Sequence, residues 1–200
     1  MSPITSTLAN GSAYGYRTLA AAAGTAFESI ATATSSGSDT TITFSNIPQN
    51  YAHLQVRGLF RSDKSADTNA DLYLYLNGDT SMANYTRHYL RGTGATAISF
   101  GAVAGDNRPV AGEAPAASST ANVFGATIID ILDYANVNKN TTVRTLHGDD
   151  QNSGTTASNV YLTSSLWLNT NAVTSLTFML QATTNFIQYS TFALYGIRGA

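Results

Sequence analysis

The residues with chemistry to offer are few and scattered. Asp63, Ser65, Asp67, Asn69 and Asp71 place a side-chain oxygen at every second position, the spacing that opens a calcium loop. The rest of such a loop is missing. Thr68 stands where the tight turn needs glycine, and Leu74 stands where a bidentate Glu would close the coordination sphere. The segment reads as a solvated loop, and no metal site is assigned. His147 is followed by Asp149 and Asp150, the neighbours that a general base or a metal-ligating His would use. The run "GDDQNSGTTAS" after it is polar throughout, which places these carboxylates in an exposed loop. His53 and His88 stand alone. Asp130 and Asp133 raise the thought of the carboxylate pair of a glycoside hydrolase. Their odd separation sends them to opposite faces of a strand. Asp133 reads as a turn cap, and Asp130 as a partner for Arg57 or Arg144. No serine sits in a G-x-S-x-G context, and no phosphate-cradling glycine run precedes a helix. The expectation is a protein without catalytic residues or cofactor.

The aromatic residues are the better candidates. Tyr73, Tyr75, Tyr161 and Trp167 stand on the faces opposite the leucines of their strands. Such side chains stack on sugar rings or anchor a partner chain. In a chain this apolar, a neighbouring subunit is favoured over a glycan.

The elements that position these residues are strands. Leu54, Val56 and Phe60 alternate with His53, Gln55, Arg57 and Arg61; Leu72, Leu74 and Leu76 alternate with Tyr73 and Tyr75; Phe192 and Leu194 alternate with Thr191 and Tyr195. A period of two is that of half-buried β-structure. Strands are expected at 27–34, 40–44, 53–61, 71–76, 86–91, 98–103, 123–132, 141–147, 160–168, 175–182 and 191–197. Asn77-Gly78 marks a tight turn. Ser62–Ala70, Ala104–Ala121 and Gly148–Ser158 read as loops, the second because it holds Pro109 and Pro115 among Ala and Ser. The run "VFGATIIDIL" is apolar on both faces, as in a strand covered on both sides.

Composition narrows the class of function. The 200 residues are 43% hydrophobic, enough for a continuous core, and 11% charged, less than half of the ~25% usual for soluble domains. Small polar residues replace the charges, and they lose little side-chain entropy when buried against a neighbour. The net charge is −2, and Lys and Arg form no cluster, so nucleic acid is not an expected partner. Cysteine is absent, which excludes disulfides and thiolate chemistry. No apolar run approaches the ~20 residues of a membrane helix, and no membrane association is expected. Residues 1–24 are rich in Ala, Ser, Thr and Gly and read as an attachment arm. Residues 25–200 read as an all-β, antiparallel, two-sheet β-sandwich of jelly-roll type, with edges covered by oligomerisation.

The phrases "FESIATAT…TTITFSNIPQNYAHLQVRG", "LYLYLNGDT…NYTRHYL", "FGATIIDILDYANVNKNTTVRTL" and "FALYGIRGA" resemble small virion proteins of tailed bacteriophages, notably aquatic and cyanobacterial phages. The likeness spans Phe27 to Ala200 and carries no catalytic signature. It implies a structural component of the virion, tail-associated as a fibre, receptor-binding or adhesin module. The alternative is a head decoration protein that cements the capsid. A carbohydrate-binding, lectin-like module is the rival from another class. The expected partners are sister subunits in a homotrimer, other virion proteins held through the arm, and a host surface glycan.

Overall fold

The computed structural model describes residues 26–102, 108–151 and 158–199. The arm expected at 1–24 lies outside them. Among the described residues the chain forms twelve strands: β1 (Phe27–Thr34), β2 (Thr41–Phe44), β3 (His53–Phe60), β4 (Asn69–Leu76), β5 (Tyr85–Gly92), β6 (Ala97–Ala102), β7 (Val110–Pro115), β8 (Gly125–Leu132), β9 (Thr141–Asp149), β10 (Asn159–Trp167), β11 (Leu176–Leu180) and β12 (Thr191–Ile197). Single 3-10 turns occur at Met82–Asn84 and Gln181–Thr183. The strands make an eight-stranded sheet, ordered β1-β12-β3-β8-β9-β10-β5-β6, and a four-stranded sheet, ordered β2-β11-β4-β7. Every pairing is antiparallel. The two-sheet β-sandwich expected from the alternation is therefore the fold.

The core between the sheets follows from that alternation on β3, β8 and β12. Leu54, Val56 and Phe60 are fully buried, as are Ile129, Ile131, Phe192 and Leu194. Phe192 is the centre of an aromatic cluster. Its ring stacks on Phe178 (centroids 4.6 Å apart) and on Phe60 (5.4 Å), and meets Phe186 edge-on at 5.6 Å, the offset and edge geometries that aromatic quadrupoles favour. Gly58 permits this packing: a Cβ there would lie 2.7 Å from the Phe192 ring.

Three expectations are corrected. The stretch read as one loop at Ala104–Ala121 contains β7, which pairs along β4 from Asn69↔Pro115 to Tyr73↔Val110. Its sequence, VAGEAP, is poor in strand-forming residues, and its place is set by the partner strand. The doubly covered strand is β4, where Leu72, Tyr73, Leu74, Tyr75 and Leu76 are all buried. β8, expected in that role, buries one face and leaves Ile128 exposed on the other. Arg61, grouped with the outward polar residues, is buried. Its guanidinium donates to the carbonyls of Thr120 (2.7 Å), Val123 (2.8 Å), Ala116 (2.8 Å) and Ser119 (3.0 Å). It pins the 116–123 segment to the end of β3, and burial lowers its pKa without taking it out of the charged state. The turn expected at Asn77-Gly78 is present, with φ of 51° and 69°. It carries the chain from the small sheet towards the large one.

Candidate functional site

Two faces of the same strands stand out, and both are built by β5, β9 and β10. On the outer face, Leu90 pairs across to Leu162, Leu162 to Leu146, and Leu146 to Ile128. This lateral row crosses four strands, and its members are 58%, 53%, 50% and 40% exposed. Val160 and Leu59 lie beside it and are as open. Monomers scatter exposed leucines singly; a contiguous aliphatic row marks an association surface. Arg144 and Asp130 are register partners at its margin, so the surroundings carry both signs of charge.

On the inner face, the same strands turn polar groups towards the small sheet. Arg87, Tyr89 and Arg91 of β5, His147 of β9, and Tyr161 and Thr163 of β10 line a cavity of about 190 Å³. Asp71 of β4 and Glu113 of β7, directly opposite each other in register, close it from the small sheet. His147 is 3% exposed, its ring stacked on Tyr161 at 4.4 Å, and neither ring nitrogen has a hydrogen-bond partner. Burial, with the Arg91 charge adding to it, pulls its pKa down to about 4. The imidazole is therefore neutral at pH 7. Burial raises the pKa of Glu113 and of Asp71, against the opposing pull of the Tyr161 hydroxyl and of Arg91 on the first and of Arg87 and Arg108 on the second. Burial and the Glu113 charge also raise the Tyr161 phenol. Arg91 donates to Asn159 Oδ1 from Nε (3.2 Å) and Nη2 (2.9 Å), and Asn69 Nδ2 donates to Glu113 Oε1 at 3.0 Å. Glu113 Oε2 and Arg87 Nε have no hydrogen-bond partner. A general acid or base works best with a pKa near the operating pH. An imidazole at about 4 is poorly matched to proton transfer at neutrality.

Of the aromatic candidates, the structure brings only Tyr161 to this site. Tyr73 and Tyr75 are buried on the second covered face of β4, and Tyr75 meets Tyr85 edge-on at 6.4 Å. Trp167 is buried, and its Nε1 donates to Asp79 Oδ2 at 2.8 Å. These three are core residues; the fold of the chain itself covers them, so they offer no surface to a glycan or a partner.

The acidic candidates disperse. Asp63 accepts from the backbone N–H and the side-chain Nδ2 of Asn185, Asp67 pairs with Lys64, and Asp71 turns inward with Arg108 at 3.6 Å. Asp130 accepts from Gln55 Nε2 at 2.8 Å, a partner other than the expected arginines. Asp133 holds a turn with φ of 49°, its carboxylate pairs with Lys139 and its backbone N–H donates to His53 Nδ1 at 2.9 Å, close to the cap expected of it. His147 is in β9, as the strand expected at 141–147 places it, but buried, and the strand runs on to Asp149, which is half-buried rather than in an exposed loop. Arg87, Arg91 and Glu113 were not among the candidates expected from the sequence. Their signal was weak: "TRHYLRG" alternates in either phase, and Glu113 is a lone charge among small residues.

No protein-family model, curated protein or solved structure matches the chain.

Proposed function

We propose that the chain is a non-enzymatic structural module of a bacteriophage virion, working by contact with sister copies and with other proteins of the particle. The observation that carries the reading is the exposed aliphatic row Leu90–Leu162–Leu146–Ile128 on the outer face of the large sheet. Its occupant is a second copy of the chain. Neighbouring charges of both signs allow self-contact without repulsion, and the 11% charge content leaves little elsewhere to oppose association. A homotrimer is the proposed assembly.

The jelly-roll reading of the fold is supported by nested pairing. β1 lies beside β12, β2 beside β11, and β4 beside β7, while β3 lies between β12 and β8. That is the order of a long hairpin rolled into two sheets, with β5-β6 and β9-β10 as additions to one of them. Jelly rolls recur in viral shells and in lectins, a likeness of fold that raises the prior for a virion role without fixing it. The likeness of sequence phrases adds the tailed-phage context. Within the particle, the tail-associated fibre or receptor-binding role is proposed first and head decoration second.

Immunogold labelling of particles with an antibody to this chain tests the assignment. Gold at the tail supports the first role, and gold over the head replaces it with decoration. Particles free of label, with the chain present in infected cells, contradict a virion role altogether.

A further inference from the structure

The cavity between Asp71, Arg87, Arg91, Glu113, His147 and Tyr161 asks for an occupant of a definite chemistry. Its four formal charges cancel: Arg87 and Arg91 against Asp71 and Glu113. An anion would face the two carboxylates, and a cation would face the two guanidinium groups. Among the described residues no group of three His, Asp or Glu side chains could hold a metal ion. The unfilled positions are mixed. Glu113 Oε2 can accept and Arg87 Nε can donate; the neutral His147 ring offers one acceptor and one donor nitrogen, all without partners. Buried polar atoms left unpaired destabilise a fold, so four in one place call for a ligand that both donates and accepts. Hydroxyl groups do this at every position. The stacked His147–Tyr161 pair adds an aromatic wall for the C–H face of a ring.

We infer that this cavity binds a single neutral sugar residue through Glu113, Arg87 and His147. The volume of about 190 Å³ equals roughly six waters at ~30 Å³ each, room for one sugar ring and not for a chain. Asp71, on the cavity's small-sheet wall, has a side chain 26% exposed and lies 3.6 Å from Arg108. The inference is independent of the assembly role: a sugar site fails or stands whether or not the outer face joins sister copies.

The test uses the full chain and a panel of D-glucose, D-galactose, D-mannose, L-fucose and N-acetyl-D-glucosamine. Glycine and inorganic phosphate serve as probes for a zwitterion or anion site. Binding is read by NMR from the His147 ring C–H signals, assigned by their loss in His147→Phe, and by calorimetry. At least one sugar is expected to move the His147 signals with a Kd of ~1 mM or tighter. Glu113→Gln and Arg87→Met are each expected to weaken it tenfold or more, with near-UV circular dichroism unchanged. The inference is overturned if no sugar of the panel moves those signals, or if glycine or phosphate moves them instead. It is equally overturned if the affinity persists in Glu113→Gln and Arg87→Met, which would put the sugar elsewhere on the chain.

Discussion

The two halves of the large sheet are patterned in opposite senses. In β3 and β12 the inward positions are apolar, with Leu54, Val56, Phe60, Phe192 and Leu194 fully buried. The outward positions there include Gln55, Arg57 and Thr191. Along Arg87–Arg91 of β5, Thr145–His147 of β9 and Tyr161–Thr163 of β10 the order is reversed. Arg87, Arg91, His147, Thr145 and Thr163 face inward, and Leu90, Leu146 and Leu162 face out. A one-residue change of register would move those leucines inside, yet the pairing holds them out. The first half supplies the cohesion of the fold. The second gives up that cohesion, leaving apolar side chains exposed and buried polar atoms unpaired.

That contrast is most directly broken at Phe192. Phe192→Ala empties the centre of the aromatic cluster and is expected to lower urea-unfolding stability by ~3–5 kcal/mol. A loss below ~1 kcal/mol would mean the β3–β12 half is not the stabilising one. Arg61→Met is expected to follow, at about 3 kcal/mol, because it strips four carbonyls of their donor. Limited proteolysis within 116–123 should accelerate with it.

His147→Phe sharpens the other side of the comparison. It keeps a ring against Tyr161 and removes two unpartnered nitrogens, so a gain of about 1–2 kcal/mol is expected at pH 7. The gain also depends on pH. With the folded pKa at about 4 and the unfolded one near ~6.5, the unfolded chain binds the extra proton between those values. The His147 contribution is therefore intact above ~6.5 and is lost as pH falls towards 4, by up to ~1.4 kcal/mol per pH unit. The advantage of His147→Phe over the parent should widen across that window. Asp71 and Glu113, held above their ordinary values by burial, act with the opposite sign in acid. Their contribution is common to both proteins to first order, so the difference between them isolates the histidine. Arg87, Arg91 and Tyr161 also face the ring, and the Tyr161 phenol, pushed up by burial, stays protonated across the window. A difference that stays flat from pH 7 to pH 4 would contradict a buried neutral His147.

The smallest effect on stability is expected at the outer row. Leu162→Ser should change the unfolding free energy of the separated chain by less than ~0.5 kcal/mol. A loss of several kcal/mol would make the row part of the core.

Strand positions were legible wherever local pattern and tertiary burial agree. β1 and β12 fall at Phe27–Thr34 and Thr191–Ile197, as their alternation requires. What alternation cannot give is the side that becomes the inside. In β4 both phases are buried, so Tyr73 and Tyr75 looked available and are core. Trp167 was misplaced for a related reason: its buried indole depends on Asp79, 88 positions away in sequence. The cavity was illegible because it draws on five strands, one of them β7, whose small residues gave no strand signal. Glycan-binding tests with Trp167→Ala or Tyr75→Ala would report on folding; Glu113→Gln and Arg87→Met probe the cavity itself.

Sedimentation equilibrium of the purified chain and of Leu162→Asp at micromolar concentration tests the inverted half most directly. The outer row predicts that the parent sediments as an oligomer, about three times the 21.0 kDa chain mass, and that Leu162→Asp falls apart into folded single chains. A parent that sediments at 21.0 kDa, or an oligomer untouched by Leu162→Asp, would contradict the claim that this face is built for sister copies.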